Sequence, residues 1–268
     1  MKRLFKKIII GAGYLVIIFG IVYLVFNSIY QPTCFDGLKN QNEEKVDCGG
    51  VCAPCELQSL LYPVTLNKVY FVNKEGNNID VAIEIRNPNA DWGIKNFDYQ
   101  IDFLDETGKV IPGSLYGKSY ILPGETKWIM ELAKFTPSNI STIDFKINTS
   151  TISWNKLRPY VKEDEFFIQN ANFRKLTPPE LGSAEITGIV YNNSNFNVQN
   201  VEVQAVLYDS HNKIVAVGLT NLYALPSKKS SEFRIFWLQS LPADAKNFEL
   251  FLNINLLNDV NFIREYGL

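Results

Sequence analysis

The sequence predicts a mainly β protein with an N-terminal transmembrane helix, a small disulfide-rich segment and two tandem β-sandwiches. Three observations predict it. An uncharged apolar run follows a cluster of cations at the N-terminus. All four cysteines fall in the 22 residues from Cys34 to Cys55. The rest of the chain reads as short alternating strands whose order recurs after about 104 residues.

The helix comes first. Lys2, Arg3, Lys6 and Lys7 precede a run from Ile8 to Tyr30 that carries no charge. At about 1.5 Å per residue this run spans roughly 34 Å, enough to cross a hydrocarbon core of about 30 Å. Its glycines are compatible with lipid, where water does not compete for the backbone. The run exceeds a signal-peptide core, and "VFNSIYQPTC" offers no small-residue cleavage pattern, so the expectation is an uncleaved anchor. Positive residues stay on the cytoplasmic side. The expected topology is therefore a single-pass plasma-membrane protein. Residues 1–7 form a cytoplasmic basic tail, 8–30 lie in membrane lipid, and the bulk is extracytoplasmic.

Outside the anchor the charge is mixed and the formal net charge of the chain is −2. No long basic run occurs there, so nucleic acid is not an expected partner. Aromatic residues make up 13% and, with the many Val, Ile and Leu, favour strands. One histidine and two methionines leave little inventory for catalysis or soft-metal binding.

Residues 31–58 are read as a cysteine-rich stalk. "CFDGLKNQNEEKVDCGGVCAPC" holds Cys34, Cys48, Cys52 and Cys55 among turn signals and few apolar side chains. Such a segment is ordered by covalent links, and an exterior compartment lets them persist. Four cysteines allow three pairings and the sequence does not choose. Crossed links, Cys34 to Cys52 and Cys48 to Cys55, would hold a small knot and are the preferred expectation. Asp36, Asn40, Glu43 and Asp47 are oxygen donors interleaved with glycines and are the candidate calcium ligands. They do not follow the EF-hand spacing, and a polar loop of Asx turns is the competing reading. No other cofactor is expected. Zinc at Cys48, Cys52 and Cys55 competes with oxidation. "CAPC" also looks like the C-x-P-C of thioredoxin-type enzymes, which makes a membrane-tethered thiol-disulfide oxidoreductase the alternative function. The strand-and-helix setting that activates such thiols is missing from the pattern.

The whole segment resembles a short cysteine module of secreted proteins, C-x-D-G-x-x-N-x-x-E followed by D-C-G-G-x-C-x-x-C. Cys34, Asp36, Gly37, Asn40, Glu43, Asp47, Cys48, Gly49, Gly50, Cys52 and Cys55 carry the match. The resemblance implies an extracytoplasmic protein and no particular activity.

Residues 59–156 and 157–268 are read as the two sandwiches. In "NIDVAIEIRNPN", Ile79, Val81, Ile83 and Ile85 alternate with Asp80, Glu84 and Arg86. In "KNFDYQIDFLDETGKVI", Phe97, Tyr99, Ile101 and Phe103 point inward, and Asp98, Gln100 and Asp102 outward. "AEITGIVYNNSN" and "QNVEVQAVLYDSHNKIV" repeat both stretches, setting Ile186 against Val81, Asn192 against Asn87 and Asp209 against Asp105. Asn212 replaces Gly108, and asparagine tolerates the left-handed conformation next best. Six or seven short strands per copy argue immunoglobulin-like sandwiches without an intersheet disulfide. A charged passage, "NKLRPYVKEDEFF", is read as the linker between them.

The stretch Ile186 to Val215 resembles the FxLYD-type domains of envelope proteins, carried by Asn192, Asn193, Tyr208 and Asp209. In the first copy Leu104 stands in place of Tyr208. The resemblance implies a sandwich on the cell exterior and supplies no active site.

No nucleophile, zinc-protease or phosphate-loop motif occurs. His211 is read as a hairpin-tip residue, and Asp105 and Asp209 as turn formers. Trp92, in the polar loop "NPNADWGIKN", is the candidate ligand-binding residue, against edge or core packing of all four tryptophans. The expected function is that of a non-catalytic binding or structural module of the cell envelope, not an enzyme. Its expected partner is an envelope protein or glycan that the sequence does not name.

Overall fold

The computed structural model describes residues 2–29, 33–73, 77–135, 137, 139–157, 165–178 and 180–266. Most of the expected linker, 158–164, lies outside the described residues. The chain divides into a unit at 1–60 and a compact unit at 61–268.

In the first unit, helix α1 runs from Lys2 to Ile29, so the basic cluster lies on the same helix as the apolar run. Its segment Phe5–Phe26 has mean hydropathy 2.7 and is wholly unburied, long and apolar enough to cross a membrane. Beyond it the cysteine segment contains turns, one two-residue bridge between Lys45 and Cys48, and a 3-10 turn at Cys55–Ser59.

The strands of the second unit pair antiparallel. Its first half contains β1 (Val64–Asn73), β2 (Asn78–Arg86), β3 (Trp92–Leu104), β4 (Val110–Ile121), β5 (Thr126–Phe135), β6 (Thr142–Asn148) and β7 (Trp154–Lys156). One sheet has the order β1-β2-β5; the other has β4-β3-β6, with β7 also on β3. The second half contains β8 (Phe166–Lys175), β9 (Ala184–Asn192), β10 (Val198–Tyr208), β11 (Ile214–Leu225), β12 (Lys229–Trp237) and β13 (Asn247–Asn253). Its sheets are β12-β9-β8 and β11-β10-β13, the same pairing order one set later.

Alternation explains both cores. Ile79, Val81, Ile83 and Ile85 of β2 meet Phe97, Tyr99, Ile101 and Phe103 of β3, all buried. Ile186 and Val190 of β9 meet Val201, Val203, Ala205 and Leu207 of β10. A short helix, α2 (Val260–Tyr266), closes the second core. Its Phe262 sits 5.3 Å from Phe196 and 4.8 Å from Tyr266 between ring centroids. Asp259 caps it, Oδ1 accepting from the N–H groups of Asn261 and Phe262.

A third apolar cluster was not visible as such in the alternation. Ala82 and Trp128, on the outer face of β2 and β5, pack with Val206 and Val217 of β10 and β11. The two sandwiches therefore stack face to face, and β2 and β10 are buried on both sides. Gln204 donates from Nε2 to the Trp128 carbonyl at 2.9 Å across this contact.

Asp102 departs from the outward-facing expectation. It is only 2% exposed, because Gln100, Ser114 and Lys146 close over it with hydrogen bonds of 2.6, 2.7 and 2.8 Å. Burial pushes its carboxyl up, but those three donors outweigh it and hold the group below its ordinary value.

Candidate functional site

The cysteine segment is locked by two disulfides, Cys34–Cys52 and Cys48–Cys55, the crossed arrangement. Cys52 and Cys55 are thus each bonded to another residue, and the C-x-P-C stretch holds no pair of its own. Gly50 takes φ +61°, and a Cβ there would lie 2.3 Å from the Asn42 carbonyl oxygen, so only glycine fits.

The acidic residues of the segment serve its backbone. Glu43 is buried and accepts at Oε2 from the N–H groups of Asn40 and Asp47, at 3.2 and 3.1 Å. Asp47 accepts from Gly37 N–H at 3.0 Å. Asp36 accepts from Asn40 Nδ2 and from the Thr33 and Leu38 amides, which together hold its carboxyl below the ordinary value. Asn40 Oδ1 is buried without a partner. The carboxylates of Asp36, Glu43 and Asp47 do not converge on one point. Among the described residues the group that does is Asp209, His211 and Asp244, whose ligand atoms lie within 4.8 Å of one another on the exposed surface.

Asp209 is already engaged there. Its Oδ1 accepts from the His211 and Lys213 amides at 2.8 and 2.9 Å. Asp105 does the same with Thr107 and Lys109 at 2.9 and 3.0 Å. Gly108 and Asn212 take φ +80° and +59° in the matching turns. Both aspartates are hairpin formers.

Trp92 is half-buried at the start of β3, paired with Lys156 of β7, whose Nζ lies 5.7 Å from the ring centroid. Trp128 and Trp237 are buried, and Trp154 is half-buried against the first core. The tryptophans do not form one platform.

Asn87 and Asn192 are residues whose role the sequence signalled only as turns. Each is fully buried. Asn192 Nδ2 donates to the Phe196 and Leu225 carbonyls at 2.9 and 3.1 Å, and its Oδ1 accepts from Ser194 N–H. Asn87 repeats this with Trp92, Leu122 and Asn89. The matching bonds put Asn87 and Asn192 at equivalent corners of the two sandwiches, and by the same alignment Asp80 takes the position of Glu185.

The two carboxylates have opposite surroundings. Glu185 is paired by Arg174 of β8 through Nη2 at 2.6 Å and by Arg234 of β12 through Nε at 2.6 Å. The Arg174 hydrogen bond leads in holding its carboxyl below the ordinary range. Among the described residues Asp80 accepts from Ala133 N–H at 2.7 Å and Gln239 Nε2 at 3.2 Å. Burial raises its carboxyl above the ordinary value, against these two bonds. Asp80 sits at a register shift between β2 and β5, and Ala133 takes φ +52° there.

No family model matches this chain, and no curated protein does. Among solved structures, red sea bream transglutaminase aligns at 10% identity and TM-score 0.24, over 71% of this chain. This chain spans only 31% of that protein. The calcium-binding domain CBD12 of CALX1.1 aligns at 10% identity and TM-score 0.19, over 70% of this chain and 79% of its own. The CBM22-1–CBM22-2 tandem of Paenibacillus barcinonensis Xyn10C aligns at 4% identity and TM-score 0.14, over 72% and 85%. Scores this low define no shared fold, and the ligands in those names belong to those proteins.

Proposed function

We propose that the chain is a single-pass, membrane-anchored binding or structural module of the cell envelope without chemistry of its own. Its N-terminus is cytoplasmic and residues beyond the anchor are extracytoplasmic. The observation that carries this reading is the sequence order of a basic cluster, an unburied apolar helix and two disulfides. Positive charge keeps its end inside, and disulfides persist outside. In this reading residues 59–156 and 157–268 are tandem immunoglobulin-like sandwiches of FxLYD kind, and their partner is an envelope protein or a glycan. The thiol-exchange alternative has no adjacent cysteine pair to cycle. In this reading the carboxylates of Asp36, Glu43 and Asp47 serve the backbone amides of the clip rather than calcium. Chelation is expected to leave the Cys34–Cys55 segment as resistant to protease as before.

Protease treatment of intact cells tests the topology, with a tag at the carboxyl terminus. The tag is expected to be lost while a cytoplasmic marker survives. A tag protected until the cells are lysed contradicts the reading.

A further inference from the structure

In the second sandwich, the fold shows how it satisfies a carboxylate, Glu185, on the outer face of β9, the counterpart of β2. Arg174 lies directly opposite Glu185 on β8, and Arg234 reaches it from β12. The pairings that define these positions recur in the first copy. Phe71 lies opposite Asp80 on β1, where Arg174 stood. Met130 lies opposite Ala82, as Arg234 lies opposite Thr187. The positions of both arginines are thus held by apolar residues of the stacked face, Phe71 and Met130, while an acid stands at the position of Glu185. Asp80 makes no ion pair among the described residues.

An acid kept there is costly to structure. A charged carboxylate wants charged or multiple donors once it leaves water. Asp80 receives two neutral ones, and one comes from a backbone held at positive φ, a strained conformation outside glycine. Stacking alone does not require it, since Ala82 on the same face packs without any polar atom.

Asp80 also lies where the stack opens. Cavities of about 520 and 540 Å³ adjoin it, both lined by Asn73, Asp80 and Gln239. Their walls come from both sandwiches and mix polar groups with apolar side chains, Phe71 and Val215 in one cavity and Leu132 and Phe236 in the other. Phe236 and Leu238 remain 50% and 63% exposed at the rim. The groove therefore offers apolar side chains on each side of an acid that has no ion pair among the described residues.

We propose that this groove binds a partner polypeptide through an arginine side chain placed on Asp80, with apolar residues of the partner in the two flanking cavities. The guanidinium supplies from outside the pairing that Arg174 and Arg234 supply internally at Glu185, and its fork matches a carboxylate. This rests on the binding-module reading and names the class of partner for it.

The test is titration of the purified full-length chain, in detergent micelles, with acetyl-Leu-Arg-Leu-amide. Acetyl-Leu-citrulline-Leu-amide, which keeps the shape and loses the charge, is the control. Saturable binding is expected, weakened about tenfold or more by citrulline, as for loss of a charge-assisted pair. Asp80→Asn is expected to weaken the arginine peptide to the same degree. Should that variant not fold, the two peptides on the unaltered chain decide alone. Equal binding of the two peptides, or no saturable binding at millimolar peptide, overturns the proposal. Binding in micelles does not depend on topology, and protease treatment of cells does not depend on the groove, so the two readings fail separately.

Discussion

Asn87 and Asn192 show what single residues contribute to this fold. Each closes a corner by meeting two carbonyls and one amide that would otherwise be buried unpaired. Asn192→Ala is expected to destabilise the protein by about 2–4 kcal/mol, read from urea unfolding, because it orphans several groups at once. Glu185 makes a second prediction, with a sign set by its arginines. Its folded carboxyl is held below the unfolded value, so its contribution is full above the unfolded value and is lost as pH falls through the lowered one. The acid limb of the stability profile should therefore be shallower in Glu185→Gln, and an unchanged limb would contradict the pairing. The turn roles of Asp105 and Asp209 were legible in sequence because an aspartate two and four residues before backbone donors is a local pattern. The pairing of Glu185 was not, because Arg174 and Arg234 lie on different strands and meet it only through register.

At the scale of elements, the cysteine segment depends on covalent links, since its side chains make no core of their own. Cys34–Cys52 closes a separation of 18 residues and Cys48–Cys55 one of 7. Loop-closure entropy gives about 3 and about 2 kcal/mol respectively. Replacing Cys34 and Cys52 together by serine is expected to expose the segment to protease more than replacing Cys48 and Cys55, measured by rates of cleavage between residues 34 and 55. Equal rates would mean that the Glu43 and Asp47 hydrogen bonds, rather than the links, hold it. The strands themselves could be read from period two, and β2 and β3 present the faces that alternation predicts. Helix α2 went unseen. Its signal was present in Asp259 as a cap and in Phe262 and Tyr266 one turn apart, but at seven residues it is too short to announce a period.

For the whole molecule, nothing in the alternation of the strands warns that the sandwiches stack. An alternating strand predicts one apolar face, and the second face of β2 and β10 is covered because the other sandwich lies against it. Ala82 and Val206 are small or ordinary residues that carry no sign of this in isolation. A charge placed there should uncouple the halves. Val206→Asp is expected to split a single thermal transition into two, and a single transition at unchanged temperature would contradict the stack. The account as a whole depends on where these domains reside. Its most direct measurement is alkylation of intact cells with a membrane-permeant maleimide before any reductant is added, with the mass of the full chain as readout. None of the four cysteines is expected to be alkylated until reductant is supplied. Alkylation of all four in untreated cells would place the segment in a reducing compartment and contradict both the clip and the exterior location.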